Sequence, residues 1–542
     1  MYNNPQRKWI DPVTGVEYLE SAFDSYHHFD YKQPIKWSTS GGSVNNWSTL
    51  RNLYYQGQIN YARTFAEKHD VTAMGLFSRQ ENATGSMIPL YREDWAFRAT
   101  YSWNGRYFVE YNGAYNGSEK FADVNRYAFF NSGALGWMIS EEPFMKWFRD
   151  KRIIEMLKVR ASYGEIGDDN IQQRWLYMSQ WAYGGATAMD LNQQDSIYEW
   201  YRESAIGNPD VKWETVTKLN LGIDYSMFKG LIAGSLEFFQ DNRRDILING
   251  NSRSVPSYYG GTPPTVNLGR VQTNGYELEL RVNKQFANSL RLWGNFNMTH
   301  AENVILQKDD QALRPDYQKE AGYSIGQYRS HIDAGFTQTW DEVYGTPKYD
   351  TNDAHKLPGD YYIVDFNGDG VVDSKDSAPY GYTGTPQNTY NATIGFEFKG
   401  FSAFAQFYGV TNVTRDVPLT SFGNKLNTVY DMGTWWSVAN PNADVVVPAW
   451  GRTPGYYAGQ STQYLFDGSF VRLKNLEIAY TANGGWIKKI GLDSMKIFVN
   501  GNNLWLWTRM PDDREANLSG FGGGGGAYPT VRRFNLGVKL TL

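Results

Sequence analysis

The sequence predicts an all-β protein, an antiparallel transmembrane β-barrel. Three observations lead there. Apolar and polar residues alternate strictly in segment after segment, as strands with one apolar and one polar face require. Many of these runs reach ten or more residues, whereas strands of soluble sheets mostly have about five or six. Short turns also alternate with long loops along the chain, which is how membrane barrels divide their two ends. About 16–18 strands can be counted between residue 47 and the end.

Bulk composition agrees. The 542 residues include 39 Tyr, 29 Phe, 19 Trp and 54 Gly, and no Cys. Mean hydropathy is −0.56, and no apolar run approaches the roughly 18–20 residues of a membrane helix. A barrel tolerates such a polar mean, because only alternate residues face lipid. Without cysteine there is no disulfide framework and no thiolate metal site. The net charge of −5 comes with no basic stripe, so nucleic acid is not an expected partner. His27-His28 is the only histidine pair at metal-like spacing, and reads as surface. The first residues carry no apolar leader, so the expectation is a C-terminal piece or a chain lacking its leader.

In chain order, Trp95, Phe97, Ala99, Tyr101 and Trp103 alternate with Ala96, Arg98, Thr100 and Ser102. Asn104-Gly105 then supplies a two-residue turn, since both residues tolerate positive φ. Glu141 to Ile154 carries acids first and bases last, and predicts one short helix. Leu219, Leu221, Ile223, Tyr225 and Met227 form the next apolar face, closed by Lys229-Gly230. Tyr276, Leu278, Leu280 and Val282 oppose Glu277, Glu279 and Arg281, and short turns follow at Lys284 to Asn288 and at Lys399-Gly400. Long connections near 247–268, 306–387, 413–464 and 508–530 are rich in Gly, Pro, Asn and Asp, and fall on the opposite, external side. Gly522 to Gly526 predicts a mobile part of the last of them. In the final stretch Phe534, Leu536, Val538, Leu540 and Leu542 share one face, and barrel closure would pair this strand on both sides. The chain thus reads as one barrel unit over 1–542.

Six stretches resemble the SusC/RagA family of TonB-dependent outer-membrane transporters. They are Arg126 to Trp137, Leu157 to Gly167, Asn208 to Glu214, Asn274 to Leu280, Gly468 to Leu476 and Phe498 to Leu504, in the family's order. The resemblance implies a bacterial outer-membrane barrel of about 22 strands with a plug domain, of which this chain would be the C-terminal part, a partial barrel over 1–542 without the plug. It also implies a SusD-like surface lipoprotein as lid, energy from a TonB complex through an N-terminal region, and glycan or peptide substrates, most often glycans. Outer-membrane lipid surrounds the wall. Leu542 departs from the aromatic residue common at the family's C-terminus. The competing reading is a soluble or surface-attached β-rich glycan-binding protein.

One motif carries ligand chemistry. Asp365, Asn367, Asp369, Val371 (through its carbonyl), Asp373 and Asp376 stand at positions 1, 3, 5, 7, 9 and 12, with Gly370 at 6. Oxygen donors at that spacing wrap a hard cation, so the expectation is a structural Ca²⁺ site. The competing reading is a cluster of Asx turns. No catalytic residues are expected, and the chain does not read as an enzyme. Carboxylates such as Glu277 and Glu279 share a face with many others, and the glycine run lacks the Lys-Ser/Thr of a phosphate loop. Tyr258-Tyr259, Trp435-Trp436 and Tyr456-Tyr457 read as girdle or loop-packing aromatics, with sugar stacking as the alternative.

Overall fold

The structure is a computed structural model that describes residues 8–10, 17–19, 50–84, 89–170, 173–186, 199–351, 353–416, 436–442, 461–489, 491–510 and 530–542. Fifteen long strands form a single antiparallel sheet in which every strand neighbours the next in sequence. They are β1 (Leu50–Phe65), β2 (His69–Thr84), β3 (Leu90–Trp103), β4 (Tyr107–Ser118) and β5 (Tyr127–Met138). β6 (Ile154–Asp168), β7 (Glu214–Met227), β8 (Ile232–Ile248), β9 (Val266–Gln285) and β10 (Arg291–Gln307) follow. β11 (Asn388–Phe398), β12 (Phe401–Thr411), β13 (Phe470–Ala482), β14 (Ser494–Thr508) and β15 (Arg533–Thr541) complete it.

The final strand pairs with β14 as the alternation predicts, Leu536 opposite Val499 and Leu540 opposite Met495. Closure on its second side is not seen. Among the described residues the outer edges of β15 and β1 carry no partner strand, and the sheet is open.

Register puts the alternating apolar residues on one continuous outer face. Leu221 lies between Ala161 and Phe238, and Leu280 between Gly234 and Phe296. On β9 this face is apolar from Tyr276 to Val282, about 20 Å at roughly 3.4 Å per residue. Beyond Tyr276 the same face turns to Asn274 and Gln272, so the apolar surface is a band rather than a whole side. Aromatic rings edge it. Trp103, Tyr107 and Trp137 stack in series across three strands, with centroids 5.7 and 6.5 Å apart. The Glu142 carboxylate accepts from the Tyr107 hydroxyl (2.6 Å) and the Trp137 indole (3.1 Å), pinning that row from the turn side. No helix of the described residues is long and apolar enough to cross a membrane.

Turn lengths follow the expected asymmetry. Ala66 to Lys68, Asn104 to Arg106, Phe228 to Leu231, Phe286 to Leu290 and Lys399-Gly400 fall at one end. Asn104 (φ 51°) and Gly105 (φ 67°) take the left-handed backbone that the hairpin demands. The segment expected to form one helix over 141–154 is shorter and broken. Two 3₁₀ turns, Ile139–Glu141 and Pro143–Met145, precede a single α-turn at Lys146–Asp150, and Ile154 already begins β6. Pro143 lacks the donor that would continue a helix through Glu142. At the opposite end lie the long connections, including one over 169–213 that the sequence reading did not single out.

Candidate functional site: the inner wall and the folded outer loop

The polar face of the sheet is built in two different ways. On β6 to β8 it is charged. Arg160 donates both terminal nitrogens to Glu237 (3.1 and 2.7 Å) and its Nε to Asp224 (3.3 Å), tying three strands together. Asn220 donates to the same Glu237 carboxylate. The fork of a guanidinium matches a carboxylate edge-on, which makes this the most directional kind of ion pair. Lys218 pairs with Asp241 at 2.9 Å and Arg281 with Glu279 at 2.6 Å on the same face. Further along, Arg98 pairs with Glu110 at 2.8 Å. Glu279 therefore belongs to a wall of compensated charges, and Glu277 faces the same side, in register with Glu237.

On β11 to β14 the wall is mainly amide. Gln406 donates to Asn391 (3.4 Å), Asn475 to Gln406 (2.6 Å) and Asn502 to Asn475 (2.5 Å), a relay that crosses four strands. Asn535 donates to Asn500 (2.8 Å) and extends the pattern to β15. Each amide has two donors and an acceptor with two lone pairs, so a relay that uses one bond per neighbour leaves capacity facing the interior. Such a surface suits hydroxyls and peptide groups alike. Beside it, Lys474, Asn475, Asn502, Asn503, Val531 and Arg533 line a cavity of ≈ 410 Å³. Nothing in the local sequence marks these residues. Their one legible signal is that inward Asn or Gln recurs on consecutive strands, beside ion pairs such as Lys496–Glu477.

The connection expected as a long loop over 306–387 is a folded module. Gln327–His331 pairs with Ser377–Thr383, and Asp333–Phe336 with Tyr361–Ile363. Lys348–Tyr349 runs parallel to Val371–Val372. Val343, Tyr349, Tyr361, Ile363, Val372 and Ala378 are buried as a small core. The next long connection clasps it. The Trp436 indole donates to Gln338 (3.1 Å), and Thr462 donates to Asp333 (2.8 Å). Trp436 is thus a packing aromatic, 6% exposed, while Tyr258 stands 88% exposed on the connection after β8. Trp435, Tyr456, Tyr457, His27, His28 and Gly522 to Gly526 lie outside the described residues.

All six residues of the calcium-type motif lie in this module. The Asp365 carboxylate accepts from the amides of Gly368 (2.7 Å), Asp369 (3.2 Å) and Gly370 (2.7 Å). Asp376 is fully buried and accepts from Phe366 (2.8 Å), Asn367 (3.2 Å) and Asp373 (2.7 Å). Asn367 and Asp369 cap the amides two residues on, and Val371 stands on the short parallel ladder. Gly368 (φ +74°) and Gly370 (φ +90°) provide the left-handed turns. Lys375 contacts Asp373 at 2.8 Å and holds its carboxyl below the ordinary aspartate range, chiefly by that hydrogen bond. Among the described residues no three acidic or imidazole groups are gathered as metal ligands. The carboxylates instead turn onto the backbone.

No family model matches the chain. Among curated proteins it is 28% identical over 474 residues to TonB-dependent receptor P3 of Formosa agariphila, covering 82% of this chain and 45% of the relative. TonB-dependent receptor P26 of the same organism is 25% identical, over 99% of this chain and 58% of the relative. TonB-dependent receptor SusC of Bacteroides thetaiotaomicron is 28% identical, over 82% of this chain and 43% of the relative. The chain thus spans about half the length of the curated relatives it matches. In fold it is similar to the RagAB peptide transporter, with TM-score 0.66 and 18% identity over 91% of this chain and 56% of that one. In sequence and in fold, the chain matches the C-terminal barrel portion of SusC/RagA-type TonB-dependent outer-membrane receptors.

Proposed function

We propose that this chain is wall and outer surface of a transporter that imports nutrients across the bacterial outer membrane. The observation that carries the reading is the two-faced sheet, with an apolar, aromatic-edged band outside and a polar wall inside. In lipid every backbone group must be paired, so the edges of β1 and β15, open among the described residues, call for partners beyond those strands. By likeness to SusC and RagAB, a plug, a TonB complex and a SusD-like lipoprotein complete the machine. The folded outer module is the natural seat of such a lid. The amide wall accommodates glycan or peptide, and the glycan reading rests on the likeness to SusC. A soluble glycan-binding protein would have no use for the outer band.

Deleting TonB in the native host should abolish uptake of the cognate oligomer. So should deleting the SusD-like lipoprotein, while the barrel still shows heat-modifiable mobility in detergent. A protein soluble without detergent would overturn the reading.

The calcium motif belongs to the same proposal. Four carboxylates within twelve residues repel one another, and Lys375 neutralises only part of that charge. A Ca²⁺ held by Asp365, Asn367, Asp369, Val371, Asp373 and Asp376 would replace the ammonium and order the module structurally. External sites of this type bind at roughly 10⁻⁴–10⁻³ M. Millimolar calcium should protect the module from protease in the wild type and not in an Asp365→Ala, Asp369→Ala double variant. Equal cleavage would leave the motif as Asx turns.

A further inference from the structure

Where the module meets the inner wall, the Thr414–Asp416 and Leu465–Asp467 strands pair antiparallel as a short ladder just beyond β12 and β13. Arg415 projects from it, half-buried, and its Nε is buried without a hydrogen-bond partner. Among the described residues no carboxylate pairs with it, unlike Arg98, Arg160, Arg281 and Arg291. Burial pushes its pKa down, and only the phenols of Tyr328 and Tyr408 oppose that. A half-buried charge without a counter-ion is costly to maintain, so such a group is expected where a counter-charge arrives from outside.

The surroundings are shaped to admit one. A Cβ at Gly468 would lie 2.5 Å from Arg415 Cγ, so glycine there lets the stem lie flat. A Cβ at Gly384 would stand 3.3 Å from the Tyr328 hydroxyl and 3.8 Å from Arg415 Nη1. Two donors therefore border the same point, which glycine leaves empty. The Lys474 ammonium sits 4.8 Å from the Tyr408 ring centroid, and adds a second cation beside the same tyrosine. Lys474 in turn lines the cavity next to the amide relay.

We propose that this corner binds a carboxylate of the imported molecule, with Arg415 as the recognising group, the Tyr328 hydroxyl as second donor and Lys474 as electrostatic support. The ligand is then an acidic oligomer, whose neutral part runs along the amides of β11 to β14. That route rests on the import reading; the binding does not. Two sources share the chemistry, the C-terminus of a peptide and the uronate of an acidic glycan.

The purified full-length receptor in detergent separates them by calorimetry. The probes are a tripeptide and its C-terminal amide, then trigalacturonate and its methyl ester. One acidic form should bind at least roughly tenfold tighter than its neutral partner, and the pair that shows this identifies the source. Arg415→Gln should erase the preference, and Gly384→Ala should weaken it with every charge retained. Unchanged heat-modifiable mobility certifies the folding of both variants. Acidic and neutral forms that bind alike, no binding of either acid, or a preference that survives Arg415→Gln would overturn the proposal. Loss of TonB-dependent uptake as an explanation of the protein would leave this binding result standing.

Discussion

The charged wall of β6 to β8 and the amide wall of β11 to β14 share one outer face but solve the inner one differently. In the first, charges are paired across strands, as Arg160 is with Asp224 and Glu237. In the second, uncharged amides hand one bond to the next strand. Ion pairs spend their charge on each other and leave little to offer a ligand. Amides keep donors and acceptors in hand. The contrast teaches that the second wall is the better surface for a passing polar oligomer, and the first is better suited to holding strands in register.

The largest expected effect tests whether the outer faces are equivalent. Arg in place of Leu221 or Leu280, outside the charged wall, should cost roughly 2–4 kcal/mol of insertion near the midplane. Arg in place of Ile478, outside the amide wall, should cost about as much, while Glu279→Arg on the inner face should be mild. Equilibrium folding into vesicles measures all four, and equal tolerance on both faces would sink the membrane assignment.

Next comes the inner contrast itself. Glu237→Ala leaves Arg160 with Asp224 alone, and should cost about 1 kcal/mol after allowing for partial solvent exposure of the pair. Gln406→Ala should cost about half of that or less, since its partners retain water. Raising salt from 0.1 to 1 M should lower the cost of Glu237→Ala and leave that of Gln406→Ala unchanged, because screening acts on ions and not on amides. Denaturant midpoints at both salts would expose a failure of that distinction.

The smallest effect concerns the outer module. The folded-state pKa of Asp373 is depressed by Lys375, so its contribution is present above the ordinary aspartate range and is lost as pH falls through the depressed value. Hydrogen exchange in the module should rise over that acid window, and Lys375→Gln should flatten the rise. An unchanged profile would remove Lys375 from the account of the loop's stability.

What the sequence determined by itself is the face of each strand and the side of each turn. Side-chain direction in a strand has a period of two, so Leu219, Leu221 and Ile223, or Phe534 to Leu542, declare their common face without any knowledge of neighbours. Asn104-Gly105 announces its hairpin for the same local reason. The tertiary structure alone decided the rest. Asn475 and Gln406 are 69 residues apart, and Arg160 and Glu237 are 77. No spacing rule joins positions that only strand register brings opposite one another. The motif from Asp365 to Asp376 was legible as a set of oxygens, but spacing does not say whether those oxygens face a cation or their own backbone amides. Arg415 offered no motif at all, because an unpaired charge is a property of what surrounds it.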